Sequence, residues 1–183
     1  MHATIRSTLR AGAAAIAICA APTIVAAQQP VPLDPVRVTA TSRAEQLEAE
    51  AAALPTMTKE LRKAASLYER AAEARAPQDV ARATNLRQAA YHRYYAGDTR
   101  AGGQLMERAA QQSAATGDVA LAANAYIDAA LIANERAETD RALDLGRKAE
   151  LLVNSPLLDE TQRAGLLGRI AGWHQVAVAT RTK

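Results

Sequence analysis

Side chains that could carry out acid–base, nucleophilic or metal chemistry are few in this sequence. Outside residues 1–27 the only histidines are His92 and His174, whose spacing is not that of a metal site, and no cysteine remains to supply a thiolate. Carboxylates are more frequent, but they alternate with arginines as on a solvated helix face: Asp128, Glu135, Glu138 and Asp140 with Arg136 and Arg141. We find no nucleophile elbow, HExxH motif or glycine-rich nucleotide loop. The sequence therefore predicts a protein that is not an enzyme and that holds no metal or cofactor.

Two Gly-Asp pairs, Gly97-Asp98 and Gly117-Asp118, are the other candidates for chemistry, because a glycine before a helix can help to bind phosphate. Neither pair follows a strand-like segment or has a lysine in the Walker position, which argues against a nucleotide. The pairs instead belong to a series of acidic residues spaced by 19, 20, 22 and 19 residues: Asp79, Asp98, Asp118, Asp140 and Asp159. One helix of about 15 residues, roughly 22 Å long, plus a short turn gives this spacing. Each Asp is therefore predicted to start a helix, and each glycine to close the preceding one.

The composition is that of a protein made of helices. Ala, Leu, Arg, Gln and Glu are abundant, Phe is absent, and aromatic residues make up 3% of the 183 residues, which leaves little material for a β-sandwich. A chain of this length can bury one proper core. One all-α domain is therefore predicted.

The N-terminus, residues 1–27, has the pattern of a secretory signal peptide. Arg6 and Arg10 precede the apolar stretch AGAAAIAICAAPTIV, and small residues suit cleavage after Ala27. A membrane anchor is the weaker interpretation, because Pro22 interrupts a stretch that is short for a bilayer span. We expect a periplasmic or secreted protein with no stable membrane span after the signal is removed.

The charge pattern gives no indication of a nucleic-acid partner. Removal of residues 1–27 leaves 20 basic and 19 acidic residues, a net charge of +1 compared with +3 for the whole chain. Lys and Arg form no runs, and the two signs are interleaved along the helices. Because the remaining chain has no cysteine, it must fold by packing without disulfides.

Residues 28–41 differ in character from the rest of the chain. Pro30, Pro32 and Pro35 favour an extended path, and the simpler interpretation is a flexible leader before a helical domain at 42–180. The segment LDPVRVTAT also resembles the energy-coupling box of TonB-dependent outer-membrane receptors, which a periplasmic partner captures as an added strand. The alternation of apolar and polar residues in VRVTAT fits such strand addition.

From Ser42 onward the pattern is that of helical hairpins. Ser42 and Glu45 form a capping box that predicts the start of the first helix, and Pro55 ends it. At a period of about 40 residues, similar positions coincide: Leu86 with Tyr126, Ala90 with Ala130, Gly102 with Ala142, Met106 with Gly146, and Ala109 with Ala149. With these positions the chain resembles the tetratricopeptide-repeat family, whose unit is two antiparallel helices with small residues at close contacts.

The resemblance implies an all-α fold, a right-handed stack of antiparallel helical hairpins with a C-terminal capping helix. The hairpins are predicted at 42–75, 79–115 and 118–153, and the capping helix at about 159–179. The family usually spaces its repeats by 34 residues and favours a closing Pro, whereas the loops here are longer and that Pro is mostly missing. Trp173 is expected to pack against the preceding hairpin, with a ligand role as the alternative.

A partner-binding face follows from the resemblance, because the first helix of each family unit lines a concave groove for extended peptides. Carried over to the best repeat, that face consists of Arg87, Tyr91, Tyr94 and Tyr95. Tyrosine offers a broad contact area at modest entropy cost, and arginine can clamp a carboxylate. The alternative is that the three tyrosines are ordinary packing residues in a core without Phe.

Three functions remain compatible with the sequence. The first is an exported helical-repeat scaffold that binds a protein or peptide partner in the cell envelope through this groove. The second is a small periplasmic chaperone, because LLDETQR at 157–163 resembles the Leu-Thr-x-x-Gln element of Spy-type proteins. The third is an accessory factor of TonB-dependent transport that uses the leader.

Overall fold

Seven α-helices make up the computed structural model of the protein, which describes residues 35–181. Their bounds are α1 Pro35–Ala52, α2 Thr58–Ala74, α3 Val80–Tyr95, α4 Thr99–Ala115, α5 Val119–Glu135, α6 Thr139–Val153 and α7 Glu160–Arg181. The predicted signal peptide and residues 28–34 of the predicted leader lie outside the described residues.

The helices form a stack of hairpins, in which each helix packs on its neighbours in sequence. The hairpins are α1/α2, α3/α4 and α5/α6, and α7 covers the end of the stack by contacting both α5 and α6. Connections of a few residues join the helices, so neighbouring helices run antiparallel. The predicted all-α solenoid of hairpins with a capping helix is confirmed.

Gly97 and Gly117 close α3 and α4 with the same turn. Their φ angles are +85° and +83°, in the left-handed region where glycine is favoured. In each turn the N–H of the following Asp donates to a carbonyl five residues earlier, Asp98 to Arg93 and Asp118 to Ser113, both at 2.9 Å. The carboxylates of these Asp residues accept from the next helix, at 3.3 Å from Ala101 N and 3.0 Å from Leu121 N. The Gly-Asp pairs are therefore helix punctuation, as predicted.

A third copy of this turn occurs where the sequence does not show glycine. Ala137 has φ +57°, and the N–H of Glu138 donates to Ala133 O at 2.9 Å. The predicted helix start at Asp140 is wrong, because α6 begins at Thr139 and Asp140 falls in its first turn. Ala137 lies 20 residues after Gly117, just as Gly117 lies 20 residues after Gly97. The interval is therefore the same, with Ala-Glu in place of Gly-Asp.

Substitution Ala137→Gly is expected to raise the free energy of unfolding by about 0.5–1 kcal/mol, because glycine adopts the left-handed conformation without steric cost. Urea denaturation followed by circular dichroism measures the change. The control Ala114→Gly, at an exposed helical position of α4, should lower stability by a similar amount. If both substitutions destabilise equally, the left-handed turn at residue 137 is not strained.

The core consists largely of alanine, and the 40-residue period describes it well. All ten residues of the five predicted pairs, from Leu86/Tyr126 to Ala109/Ala149, are buried. The small residues lie at close helix contacts: a Cβ atom added to Gly102 would lie 3.0 Å from the carbonyl oxygen of Ala90 on α3. Small side chains thus let the helices approach tightly, and a larger residue at these positions would separate them.

Trp173 attaches α7 to the stack. Its side chain is 2% exposed, and its ring lies so close to Gly146 that a Cβ atom added there would be 2.1 Å from the indole. Gly146 is on α6, so the tryptophan packs against the preceding hairpin. The predicted core role is confirmed.

The first hairpin is held to the second by ion pairs as well as by its apolar core. Arg75, after the end of α2, donates twice to Glu48 of α1, at 2.9 and 2.7 Å, and once to Asp79 before α3, at 2.9 Å. Asn85 of α3 also donates to Glu48, at 2.6 Å. Since the Arg75 side chain is only 8% exposed, these hydrogen bonds hold α1, the end of α2 and the start of α3 against one another.

The first helix begins earlier than the sequence indicates. Because α1 starts at Pro35, the predicted start at Ser42 is wrong, and residues 35–41 are helical where the leader was predicted to be extended. Proline is well tolerated at the first position of a helix, since its missing N–H would have no intrahelical acceptor there. The helix ends at Ala52, before Pro55, as predicted.

Candidate partner-binding groove

All four predicted site residues lie on α3, but they do not share one environment. Arg87, Tyr91 and Tyr95 are four residues apart and occupy the same face, on which the Tyr91 and Tyr95 rings stack at 6.4 Å. Tyr94 lies beside them, with its ring 5.3 Å from that of Tyr95 in an edge contact. Tyr95 is 67% exposed, whereas the other three are partly buried.

Asp128 of α5 accepts a hydrogen bond from Tyr91 and forms an ion pair with Arg87. The Tyr91 hydroxyl donates to Asp128 Oδ2 at 2.7 Å, and Arg87 Nη2 donates to the Tyr91 hydroxyl at 2.9 Å. Arg169 of α7 donates to the other oxygen of Asp128 and to Asn124. Burial, and then the hydrogen bond to Asp128, raise the pKa of Tyr91. The phenol therefore stays protonated at neutral pH and acts as a donor.

The sequence-based interpretation of Asp128 as a solvated carboxylate is wrong. Its side chain is 12% exposed and joins α3, α5 and α7. A sequence signal for this role exists, because Asp128 is the only charged residue in α5 before Glu135, inside an otherwise apolar and small run. A lone carboxylate in such a run needs partners from other helices.

Arg87 is less available to bind a partner carboxylate than the sequence suggests, because it already contacts two groups within the fold. Its guanidinium lies 3.7 Å from Asp128 and 5.2 Å from the centre of the Tyr91 ring. Tyr94 is also engaged, since its hydroxyl donates to Glu135 of α5 at 2.8 Å. Of the four predicted residues, only Tyr95 presents most of its surface to solvent.

An open groove of about 620 Å³ lies beside these tyrosines, between α3 and the segment that leads into α2. It is lined by Thr56, Leu61, Gln88, Tyr91, His92 and Tyr95. His92 stacks on Tyr68 of α2 with ring centres 5.4 Å apart, and burial lowers the pKa of His92. The imidazole is therefore neutral at pH 7, and the lining of the groove carries no formal charge.

The lowered pKa of His92 predicts a loss of stability in acid. Below about pH 6.5 the unfolded chain binds the proton more readily than the folded one, so folding stability falls as the pH drops through the pKa of the folded protein. Urea midpoints at pH 7.5 and 5.5 should differ less in His92→Gln than in the parent protein. The control Gln175→Ala, at an exposed residue of α7 that does not titrate, should retain the full difference. An unchanged pH dependence in His92→Gln would contradict this assignment.

Residues 35–181 contain neither a cluster of metal-binding side chains nor a helix suited to a membrane. No group of three or more His, Cys, Asp or Glu side chains there is arranged to hold a metal ion. None of the seven helices combines the length and the apolar character needed to cross a bilayer.

Comparison with known proteins finds no match to this chain. No protein-family model matches the chain, and neither a curated protein nor a solved structure shows significant similarity to it.

Proposed function

We propose that the protein is an exported helical-repeat scaffold that binds a segment of a partner protein in the cell envelope through the groove beside α3. The observation that carries the proposal is the position of Tyr95, a large aromatic side chain left 67% exposed at the edge of an open, uncharged groove. Exposed aromatic residues held by neighbouring rings are typical of the few side chains that dominate binding at protein interfaces.

Contacts within the fold hold the tyrosine cluster in place in the absence of a partner. Tyr91 is held by Asp128, and Tyr95 lies between Tyr91 and Tyr94. A side chain that is already immobilised loses little conformational entropy when a partner binds. This order supports a preformed binding surface rather than one that must fold around its ligand.

The chemistry of the groove indicates the chemistry of the partner segment. Its lining is neutral at pH 7, with Leu61 and the faces of two tyrosines as apolar contacts and the amide of Gln88 as donor and acceptor. Arg87 is already paired with Asp128, so we do not expect Arg87 to bind a carboxylate of the partner. We expect an uncharged segment with a bulky apolar side chain, whose main chain can hydrogen-bond to Gln88.

The envelope location rests on the sequence of residues 1–27. Two arginines, an apolar stretch and small residues before position 28 are the features of a secretory signal peptide. Processing can be tested by N-terminal sequencing of the mature protein from the native host, where Gln28 is the expected first residue.

Affinity capture from the envelope fraction of the native host tests the function. The parent protein should retain a specific partner, and Tyr95→Ala should lose it without a change in the urea midpoint, because Tyr95 is mostly exposed. The matched control is Arg147→Ala, an exposed residue of α6 that does not line the groove. Retention of the partner by Tyr95→Ala would remove the groove from the proposal.

A chaperone is the second candidate, and exposed leucines at the C-terminal end favour it. Leu151, Leu157 and Leu167 are each more than half exposed, and Leu157 belongs to the LLDETQR segment. Such side chains could contact unfolded clients. Suppression of client aggregation by the parent protein, and its loss in a Leu151→Ser/Leu157→Ser variant, would favour this candidate over the groove.

The TonB-linked role has no comparable support among the described residues. Residues 35–41 form the first turns of α1, so capture of this segment as an added strand would require those turns to unwind.

A further inference from the structure

A second cavity, separate from the groove, lies between α4, α5 and α6 and has a volume of about 230 Å³. Its floor is apolar and includes Ala129, Ile132 and Ala133 of α5 and Leu145 of α6, all of which are buried. These side chains belong to the hairpin α5/α6, and Arg100 and Gln104 of α4 add residues of the preceding hairpin, so the cavity is a feature of the stack and not of one helix. The proposed function makes no use of it.

Arginine side chains surround the opening of this cavity. Arg136 donates twice to Glu138 Oε1, at 2.9 and 2.7 Å. Arg141 donates to Glu107 at 2.7 Å and lies 3.9 Å from Glu138. The guanidinium of Arg100, on the first turn of α4, is exposed and makes no hydrogen bond to the described residues. Two of the three guanidinium groups therefore form hydrogen bonds with carboxylates of the fold, whereas Arg100 acts on Glu138 only through its charge.

The charge at the opening is unbalanced. Three arginines and one glutamate line the cavity, and Glu107 outside it already pairs with Arg141, which leaves an excess of one positive charge beside an apolar floor. The hydrogen bond from Arg136, followed by the charges of Arg141 and Arg100, lowers the pKa of Glu138. Glu138 therefore remains ionised at neutral pH, and it and Glu107 together balance two of the three arginines. One positive charge is left to attract an additional anion.

We propose that this cavity, which we call the arginine pocket, binds the carboxylate of a ligand that also carries an aliphatic group. The carboxylate pairs with Arg100, and the aliphatic group occupies the floor around Ile132 and Leu145. At about 230 Å³ the pocket is smaller than a typical drug-sized site of roughly 300–1,000 Å³, so it accepts a single side chain or a small acid. The C-terminal residue of a peptide and a free short-chain acid share this chemistry.

The apolar floor distinguishes this ligand from a simple inorganic anion. Phosphate could pair with Arg100, but it would leave Ile132 and the neighbouring alanines without a contact. A neutral amide of the same shape would fill the floor but would not neutralise the excess charge. The two halves of the pocket therefore select for an anion joined to a hydrocarbon.

Titrations of the full-length protein with four probes test the arginine pocket, followed by amide chemical shifts in NMR spectra. The probes are N-acetyl-leucine, its neutral amide, a short peptide ending in a free leucine, and inorganic phosphate. We expect N-acetyl-leucine or the leucine peptide to shift the amides around residues 100–104 and 132–145, and to bind more weakly at high salt. Binding by the free acid, by the peptide, or by both identifies the source of the carboxylate.

Variants of two arginines on α4 complete the test. Arg100→Gln should weaken binding about tenfold, since it removes a charge-assisted hydrogen bond at a partly exposed site. Arg108→Gln is the matched control, because Arg108 is also exposed on α4 but lines a different groove. The proposal is overturned if neither carboxylate binds, if the amide or phosphate binds as well as the acid, or if Arg108→Gln weakens binding as much as Arg100→Gln.

Discussion

Substitution Trp173→Ala is expected to lower the free energy of unfolding by about 3–5 kcal/mol, the range for removal of a buried aromatic side chain. The indole is 2% exposed and covers Gly146, where a Cβ atom would lie 2.1 Å from the ring, and Gly146 has no side chain to fill the space that it leaves. Because Trp173 attaches α7 to α6, the loss should appear first as release of the capping helix. Urea denaturation measures the stability, and hydrogen exchange of residues 160–177 reports the release.

Two companion variants separate this packing from a general effect of changing α7. Gly146→Ala should also destabilise the protein, by about 1–3 kcal/mol, because the added methyl group would displace the indole. Leu167→Ala, at an exposed position of α7, should change stability by less than about 0.5 kcal/mol. A Trp173→Ala variant as stable as Leu167→Ala would show that α7 does not depend on this contact.

Asp128→Ala is expected to have the second largest effect, a loss of about 2–3 kcal/mol. The substitution removes the acceptor of the Tyr91 hydroxyl and the carboxylate that pairs with Arg87 and Arg169. Removal of one partner from a buried ion pair typically costs 3–5 kcal/mol, and we place this variant lower because both arginines keep about a third of their side-chain surface in water. Urea denaturation measures the loss, and the NMR signals of the Tyr91 and Tyr95 rings should show that they become more mobile.

The control for Asp128→Ala is Asp144→Ala in α6. Asp144 also forms an ion pair, with Lys148 at 2.8 Å, but it is exposed and its partner lies one turn away. An exposed pair of this kind contributes less than about 1 kcal/mol. Equal losses in the two variants would mean that Asp128 has no special role in joining α3, α5 and α7.

Local chemistry explains why so much of the fold follows from the sequence. Glycine is strongly preferred for the left-handed closing turn and Asp for the capping position, so Gly97-Asp98 and Gly117-Asp118 locate two helix boundaries directly. The five residue pairs at the 40-residue period all fall at buried positions, where close helix contacts favour small or apolar side chains. The same reasoning fails at Ala137, where alanine adopts the left-handed conformation that the sequence pattern reserves for glycine.

The candidate site is only partly predictable, because its contacts join distant parts of the chain. The resemblance located Tyr91, Tyr94 and Tyr95 on one helix, but Arg169 lies 41 residues after the Asp128 that it binds. No local pattern specifies that pairing, and only the stacking of α3, α5 and α7 brings the three helices together. The start of α1 was missed for a different reason: proline in sequence suggests an extended chain, yet it is compatible with the first turn of a helix.

Site-specific photo-crosslinking in the native host tests the central claim, that the groove beside α3 binds a partner segment. A photoreactive amino acid is placed in turn at Gln88 and Tyr95, which line the groove, and at Arg147, which does not. The account predicts one adduct of the same size from both groove positions and none from position 147. Absence of any adduct from positions 88 and 95, or an equal adduct from position 147, would contradict it.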